Sequence, residues 1–261
     1  MDRALLYGDG FFTTIRVVDN KIHRWPLHLE RLSFSAKRLK FYSLDANQIY
    51  QDLLSFIQQQ PESDGVLRLT IGRGANGKGE RGYSIPKNPE YQFYMNWSPL
   101  NNQSIKNLDK GVSLSLCQTP ISQNKALAGV KHLNRLDQVL ASDEIAENCF
   151  DGLMFNKQFI VSGTKTNVYF YRNNRWLTPK VNKAGVNGTV RRWLLETQED
   201  FAESKFGLEI LKSAQYCLVS NAIVGIIPVT QIQMADENKK FMPFPELNKL
   251  QAQYNEVSIR H

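Results

Sequence analysis

The chain has 261 residues, 42% of them hydrophobic and 22% charged, which fits one large or two small globular domains and excludes a disordered or fibrous chain. Its formal net charge of +7 is spread along the sequence with no dense basic run or recognition motif, so it reads as a basic surface that attracts small anions, with no nucleic-acid partner expected. No apolar run is long enough for a membrane span, MDRALLYGDG lacks the apolar core of a secretory signal, and Cys117, Cys149 and Cys217 suit neither a disulfide framework nor a metal site; a reducing cytoplasm is expected.

Phe11 to Val18, rich in aromatic and β-branched residues, predicts a strand. Asp19-Asn20 is a turn, and Lys21 to Trp25 opens the return strand. Pro26 suits the first turn of a helix over about 26–40, with Leu29, Leu32, Ala36 and Leu39 on one face. A second helix over about 47–59 carries Leu53, Leu54 and Ile57. Val66–Ile71 alternates as a strand, a glycine-rich loop follows, and residues 91–97 form another strand. The polar stretch 99–110 reads as a linker. Val112, Leu114 and Leu116 then alternate with Ser113, Ser115 and Cys117 in a strand.

The stretch AGVKHLNRLDQVL comes next. A strand-like approach ends at Lys131, and Leu133, Leu136, Val139 and Leu140 fall on one side of a helix expected to begin there and pack firmly. Such a helix holds Lys131 on a rigid mount. By pattern alone, though, a lysine at that place is ordinary solvated surface. Short strands follow at 153–155, 159–161 and 168–171, a helix over about 189–197, buried strands at 217–220 and 226–229, and a closing helix near 245–254. Strands and helices mix without strict βαβ alternation, which predicts an α+β fold in two domains. The boundaries expected are 1–104 for a smaller N-terminal domain and 105–261 for a larger one carrying Lys131.

Few segments carry chemistry. Gly72, Gly74 and Gly77 have GxGxxG spacing, but no helix opens after them, so the dinucleotide reading fails. That loop is a hairpin tip or a lid bringing Arg73, Arg81 and Tyr83 to an anionic substrate. In AGVNGTVRRWLL two glycines precede a helix whose first amides, at Thr189 and Val190, can hold a phosphate, or merely begin a capped helix. SNAIVGIIPV has a similar shape, with Ala222 and Ile223 after a strand end. His28 and His132 share no metal spacing, and no nucleophile signature of a hydrolase is present.

Together YGDGFFTTIRV, HLERLSFSA, GRG…RGYS, AGVKHLNRLDQVL, GTKTNVYF, AGVNGTVR and SNAIVGIIPV resemble the fold-type IV pyridoxal-phosphate enzymes, which include branched-chain and D-amino-acid aminotransferases and aminodeoxychorismate lyases. FTTxRV, RGYS, AGVKHLNRLDQVL and AGVNG are most similar to the lyase branch. The resemblance implies a two-domain architecture like that of D-amino-acid aminotransferase, with pyridoxal 5'-phosphate at the domain interface, and a homodimer. It matches Lys131 to the Schiff-base lysine and Arg31 to the arginine that grips the phosphate. Thr189 and Val190 match the helix-terminal phosphate cup, and Ala222 and Ile223 close it. Thr14 is implied to relay a proton, and Arg73, Arg81 and Tyr83 to face the substrate. The implied reaction converts 4-amino-4-deoxychorismate to 4-aminobenzoate and pyruvate by proton abstraction and β-elimination; the alternative is an aminotransferase on D- or branched-chain amino acids.

Two departures stand out. Where the family carries Glu against the pyridine nitrogen, this chain has Ser162. A neutral hydroxyl cannot keep that nitrogen protonated as a carboxylate does, which disfavours transamination more than elimination and leaves open a cofactor-impaired homologue. The family also has a strand before the segment that opens this chain, so the native start is expected upstream or the first sheet is shortened.

Overall fold

The computed structural model describes residues 1–77, 82–234 and 238–256. They divide into two compact units: Met1–Leu100 with Val130–Asn134, and Asn101–Gly129 with the chain from Arg135 onwards. Residues 130–134, Lys131 included, thus belong with the first unit and not with the C-terminal part of the chain.

In the first unit, the short helix α1 (Arg3–Tyr7) starts on Asp2, whose carboxylate accepts from the Ala4 amide at 2.8 Å. Gly8 ends it in the left-handed conformation, φ 64°. Strand β1 (Gly10–Val18) forms because its residues alternate: Phe11, Ile15 and Val17 are fully buried on one face, while Thr14 and Arg16 are half-buried on the other. Asp19 and Asn20 both take positive φ, the type I′ geometry of a tight hairpin. The return strand β2 (Lys21–Ile22) is only two residues long. It stops short of Trp25 because Arg24 turns left-handed and α2 (Trp25–Leu39) begins at once with Pro26 in its first turn. Helix α3 (Ala46–Gln58) is capped by the Asp45 carboxylate on the Asn47 and Gln48 amides. With β3 (Gly65–Gly72) and β4 (Gln92–Pro99) the sheet runs β2-β1-β3-β4, all antiparallel. Leu32, Ala36, Ile49, Leu53 and Ile57 pack on its apolar face with Leu67, Leu69 and Ile71.

His23, beside this hairpin, has its pKa lowered to about 4, first by burial and then by Arg24 and Arg16. The fold therefore favours neutral His23, while the unfolded chain takes up the proton from about pH 6.5 downwards. Stability is expected to fall as the pH drops from about 6.5 to about 4. Urea midpoints for the unmutated protein and His23→Gln at pH 7 and pH 5 check this, because the variant loses that part of the pH dependence.

The second unit opens with a helix where a linker is expected. The Asn101 side chain caps α4 (Asn102–Asn107) through the Ser104 amide, and a 3-10 turn, Leu108–Lys110, follows. Then come β5 (Val112–Leu116), α5 (Leu136–Asp143), β6 (Asp151–Asn156), β7 (Phe159–Gly163), β8 (Asn167–Arg172), β9 (Arg175–Pro179), α6 (Thr189–Thr197) and β10 (Phe201–Ser204). The chain ends with α7 (Glu209–Ser213), β11 (Tyr216–Asn221), β12 (Gly225–Gln233), β13 (Lys239–Lys240) and α8 (Leu247–Asn255). The sheet order is β10-β9-β8-β11-β12-β5-β6-β7, with β13 on β12. The pairs β10/β9, β12/β5 and β5/β6 are parallel and the rest antiparallel. Leu114, Leu153, Val168, Phe170, Val219 and Ile232 are fully buried at its centre. Both units combine helices with mixed or antiparallel sheets, the expected α+β class.

Helix α5 departs from expectation. It begins at Leu136, not at Lys131, and Leu136, Val139 and Leu140 are 74%, 61% and 61% exposed. The leucine spacing marks a helix with one apolar side, but that side is left exposed among the described residues; Ala141 is buried. Among the described residues, no helix is long and apolar enough to cross a membrane.

Candidate active site

Lys131 lies in an irregular segment held against strand β1, and not on a helix. On the flank of β1 that two-residue β2 leaves open, the Phe12 amide donates to the Lys131 carbonyl at 2.9 Å and the Leu133 amide to the Gly10 carbonyl at 3.0 Å. His132 bridges Phe11 between them, and Val130 is fully buried in the core. The amphipathic spacing is shared by two neighbouring segments, a bridged irregular stretch to Leu133 and a helix from Leu136. The Lys131 ammonium lies 4.5 Å from the centre of the Phe12 ring, and the Arg68 guanidinium 4.0 Å from the same ring. Arg68, paired with Thr14 across β1 and β3, has its pKa lowered by burial. Phe12 and Thr14 share a face of β1, so Lys131, Thr14 and Arg68 stand on one side of the sheet.

Arg31 approaches β1 from the other side. Its Nη1 donates to Thr13 Oγ1 at 3.3 Å, and that hydroxyl also bonds His28 Nδ1 at 2.7 Å. All three residues are buried. His28 is thus a structural partner of Thr13. The two-residue period of the strand decides which threonine meets Arg31: Thr13 does, and Thr14 faces away.

Of the three substrate-facing residues expected near the glycine-rich loop, Arg73 requires correction. It is 2% exposed, and its guanidinium is consumed by Asp9 Oδ2 at 2.8 Å and by the Lys40 and Leu39 carbonyls, at the end of α2. Arg73 therefore anchors the helix end. Tyr83 is exposed, stacked at a tilt on Tyr7. Arg81 lies outside the described residues. Arg3, which sequence reasoning passed over, is 3% exposed and holds this loop: it donates to Asn76 Oδ1 and to the Gly82 and Tyr83 carbonyls while sharing Asp9 Oδ2 with Arg73. The signal was an arginine and an aspartate bracketing a short helix, which is too common a pattern to single out.

In the second unit, α6 starts at Thr189 with Gly188 as its cap, and the cap makes no side-chain hydrogen bond to the first turn. A Cβ on Gly188 would lie 2.0 Å from Asn167 Oδ1, so only glycine lets the backbone pass. Thr189 is 2% exposed, and its hydroxyl is buried with no hydrogen-bond partner among the described residues. A buried orphan donor beside uncapped helix amides is what a phosphate would satisfy. These residues fit the phosphate of pyridoxal phosphate. Arg191, also missed, braces them: its Nη1 donates to Asn187 Oδ1 at 2.9 Å and its Nη2 to the Pro179 carbonyl and Glu203. After β11, the Ile223 and Val224 amides both donate to Asn221 Oδ1, at 2.9 and 3.0 Å. The Ile223 amide is thereby committed within its own turn.

Ser162, on β7, is buried and donates to the Gly163 carbonyl at 2.8 Å. Asp151 on the neighbouring strand is fully buried. Its Oδ1 accepts from the Gly152 and Thr164 amides and the Thr164 hydroxyl, and its Oδ2 from the Thr166 hydroxyl at 2.6 Å. It is spent on shaping the 163–166 turn. No strand periodicity marks an acid as buried, so Asp151 was not legible as a clamp.

A family model described as amino-transferase class IV matches residues 10–232. Aminodeoxychorismate lyase of Vibrio harveyi is 31% identical, over 95% of this chain and 92% of its own length. D-alanine aminotransferase of Staphylococcus epidermidis is 27% identical, over 88% and 82%. The crystal structure of 4-amino-4-deoxychorismate lyase from Pseudomonas aeruginosa superposes with a TM-score of 0.88 at 32% identity, covering 98% of this chain and 94% of that one. The chain belongs to the class IV aminotransferases, a family of enzymes that use pyridoxal phosphate.

Proposed function

We propose that this enzyme is a lyase that converts 4-amino-4-deoxychorismate to 4-aminobenzoate and pyruvate, acting in the cytoplasm as a homodimer. The observation that carries the choice of reaction is Ser162. Its hydroxyl is given to the Gly163 carbonyl, and Asp151, the carboxylate of the adjacent strand, is already saturated by its own turn. A neutral group at this place suits an elimination driven by aromatisation better than the reversible proton shuttling of transamination. The exposed Leu136, Val139 and Leu140 supply apolar surface of the kind a dimer contact buries.

In this reading Lys131 carries the cofactor covalently, and Thr189, Val190 and Ala222 hold its phosphate; Ile223 joins them only if Asn221 releases its amide, and Arg31, which meets β1 on the face away from Lys131, only if the phosphate reaches past that strand. Bound pyridoxal phosphate supplies an electron sink for the carbon next to the substrate nitrogen. Lys131, as a free amine, takes the ring proton from that carbon. Thr14, on the same face of β1 as Phe12, relays a proton to the departing enolpyruvyl carbon. Arg68 gives that face a second positive charge for a dianionic substrate. Arg3 fixes the backbone of Gly82 and Tyr83, from which Tyr83 reaches the substrate.

The deciding experiment supplies aminodeoxychorismate to the purified enzyme with pyridoxal phosphate and measures 4-aminobenzoate and pyruvate in equal amounts. The relative from Staphylococcus epidermidis keeps a second reading in play. Keto-acid production from D-alanine or branched-chain amino acids, without 4-aminobenzoate, would establish an aminotransferase in place of the lyase.

A further inference from the structure

The second unit contains a cleft of about 490 Å³ among whose lining residues are four lysines and no carboxylate: Lys157, Lys180, Lys183 and Lys205. None of the residues assigned to the cofactor or substrate lines it. The fold brings the four together from separate stretches of chain. Lys157 sits in the turn between β6 and β7, at positive φ. Lys180 and Lys205 immediately follow Pro179 and Ser204, the last partners of the parallel β9/β10 pair, and the Lys180 amide donates to the Ser204 carbonyl at 3.2 Å. Lys183 lies in the loop leading to α6, where its carbonyl accepts from the Asn124 amide at 2.9 Å.

None of the four lysines makes a salt bridge among the described residues. Lys205 instead lies 3.7 Å from the centre of the Phe159 ring, which forms part of the cleft wall with Ile160 and Val161. Like charges gathered in one concavity repel one another, and the wall behind them is apolar. Such a cleft concentrates anions, and lysines bind phosphate as flexible point charges without demanding one geometry. Several charges on one molecule are needed to engage all four lysines, and a single monoanion engages only one or two.

We propose that this cleft is a binding site for a small polyanion carrying several phosphate or carboxylate groups, separate from the cofactor site. The probe is inorganic tripolyphosphate, added to holoenzyme dialysed free of excess pyridoxal phosphate, at fixed ionic strength, and followed by calorimetry. One saturable site is expected. Lys157→Glu/Lys183→Glu should weaken it at least tenfold. Lys212→Glu/Lys249→Glu, which makes the same charge change at exposed positions of the same unit outside the cleft, should leave it within twofold. Circular dichroism melts verify that both variants fold. Equal weakening by the two variants would reduce the effect to the overall charge and overturn the proposal, as would the absence of saturable binding. Neither result depends on which reaction the enzyme catalyses. Retention of tripolyphosphate by the cleft variant at full affinity would place binding elsewhere and overturn it too.

Discussion

Replacing Lys131 by alanine is expected to abolish the absorption band of enzyme-bound pyridoxal phosphate and to lower 4-aminobenzoate formation by roughly 10²–10⁴-fold from the lost proton transfer alone. The fold should survive. The Lys131 side chain is half exposed, and what ties this segment to β1 is backbone: the Phe12 amide on the Lys131 carbonyl and the Leu133 amide on the Gly10 carbonyl. Lys131→Arg separates charge from chemistry. It can keep a cation over Phe12 yet cannot form the covalent link, so it should be as inactive as the alanine variant. Thr189→Val provides the contrast at the phosphate end. It should retain the band but need more cofactor to reach it, because a hydrogen bond to a charged group contributes about 1.5–3 kcal/mol, roughly ten- to a hundredfold in affinity. An alanine variant with a normal band and rate would remove Lys131 from the chemistry.

The second large effect is on stability. Asp9 Oδ2 is 2.8 Å from both Arg3 Nε and Arg73 Nε, and the two arginine side chains are almost fully buried. One carboxylate thus serves two buried cations. Their remaining acceptors are neutral: Asn76 Oδ1 and backbone carbonyls at the end of α2 and in the 82–83 loop. Asp9→Ala leaves both cations buried without a counter-charge, and breaking a buried pair from one side costs about 3–5 kcal/mol. Against a total stability of roughly 5–15 kcal/mol that is a large share. Urea unfolding should show it as a lower midpoint with a similar slope. A loss under about 1 kcal/mol would mean that water, and not Asp9, carries the charge balance. Tyr83 lies on the clamped loop, so under the proposed role of that loop the variant should also bind substrate less tightly before it unfolds.

Local pattern made much of this molecule legible. The alternation in β1 and β3, the Asp19-Asn20 turn and the glycine-led start of α6 all report short-range geometry, and each formed where its residues indicated. Where reading stopped, a long-range partner decided. The sequence puts Lys131 at the head of a helix because Leu133 happens to continue the spacing of Leu136 and Leu140; bonds to β1, more than a hundred residues earlier in the chain, keep it out of that helix. Residues 99–110 looked structureless because one capping asparagine, Asn101, sets a helix that has no apolar stripe. Arg73 looked like a substrate ligand since an arginine in a glycine-rich loop is usually free to reach; Asp9 and the end of α2 claim it. For the site, motif resemblance supplied the residues, while the structure added their neighbours: Thr13 and His28 on Arg31, Arg191 on Asn187, and the buried hydroxyl of Thr189.

The insertion of residues 130–134 into the first unit also sets an order of events during synthesis. Val130 completes a core built by residues 11–71, and the Lys131 carbonyl takes the amide of Phe12. A ribosome that has released only the first hundred residues has delivered a sheet with one flank of β1 bare and a vacancy in its interior. Domains generally fold as units from the N-terminal end during synthesis. This one is expected to be completed only after some thirty further residues are made, at about 5–20 residues per second. A nascent chain stalled before residue 130 should therefore be protease-sensitive throughout its first hundred residues, and Lys131 arrives with the segment that finishes the unit.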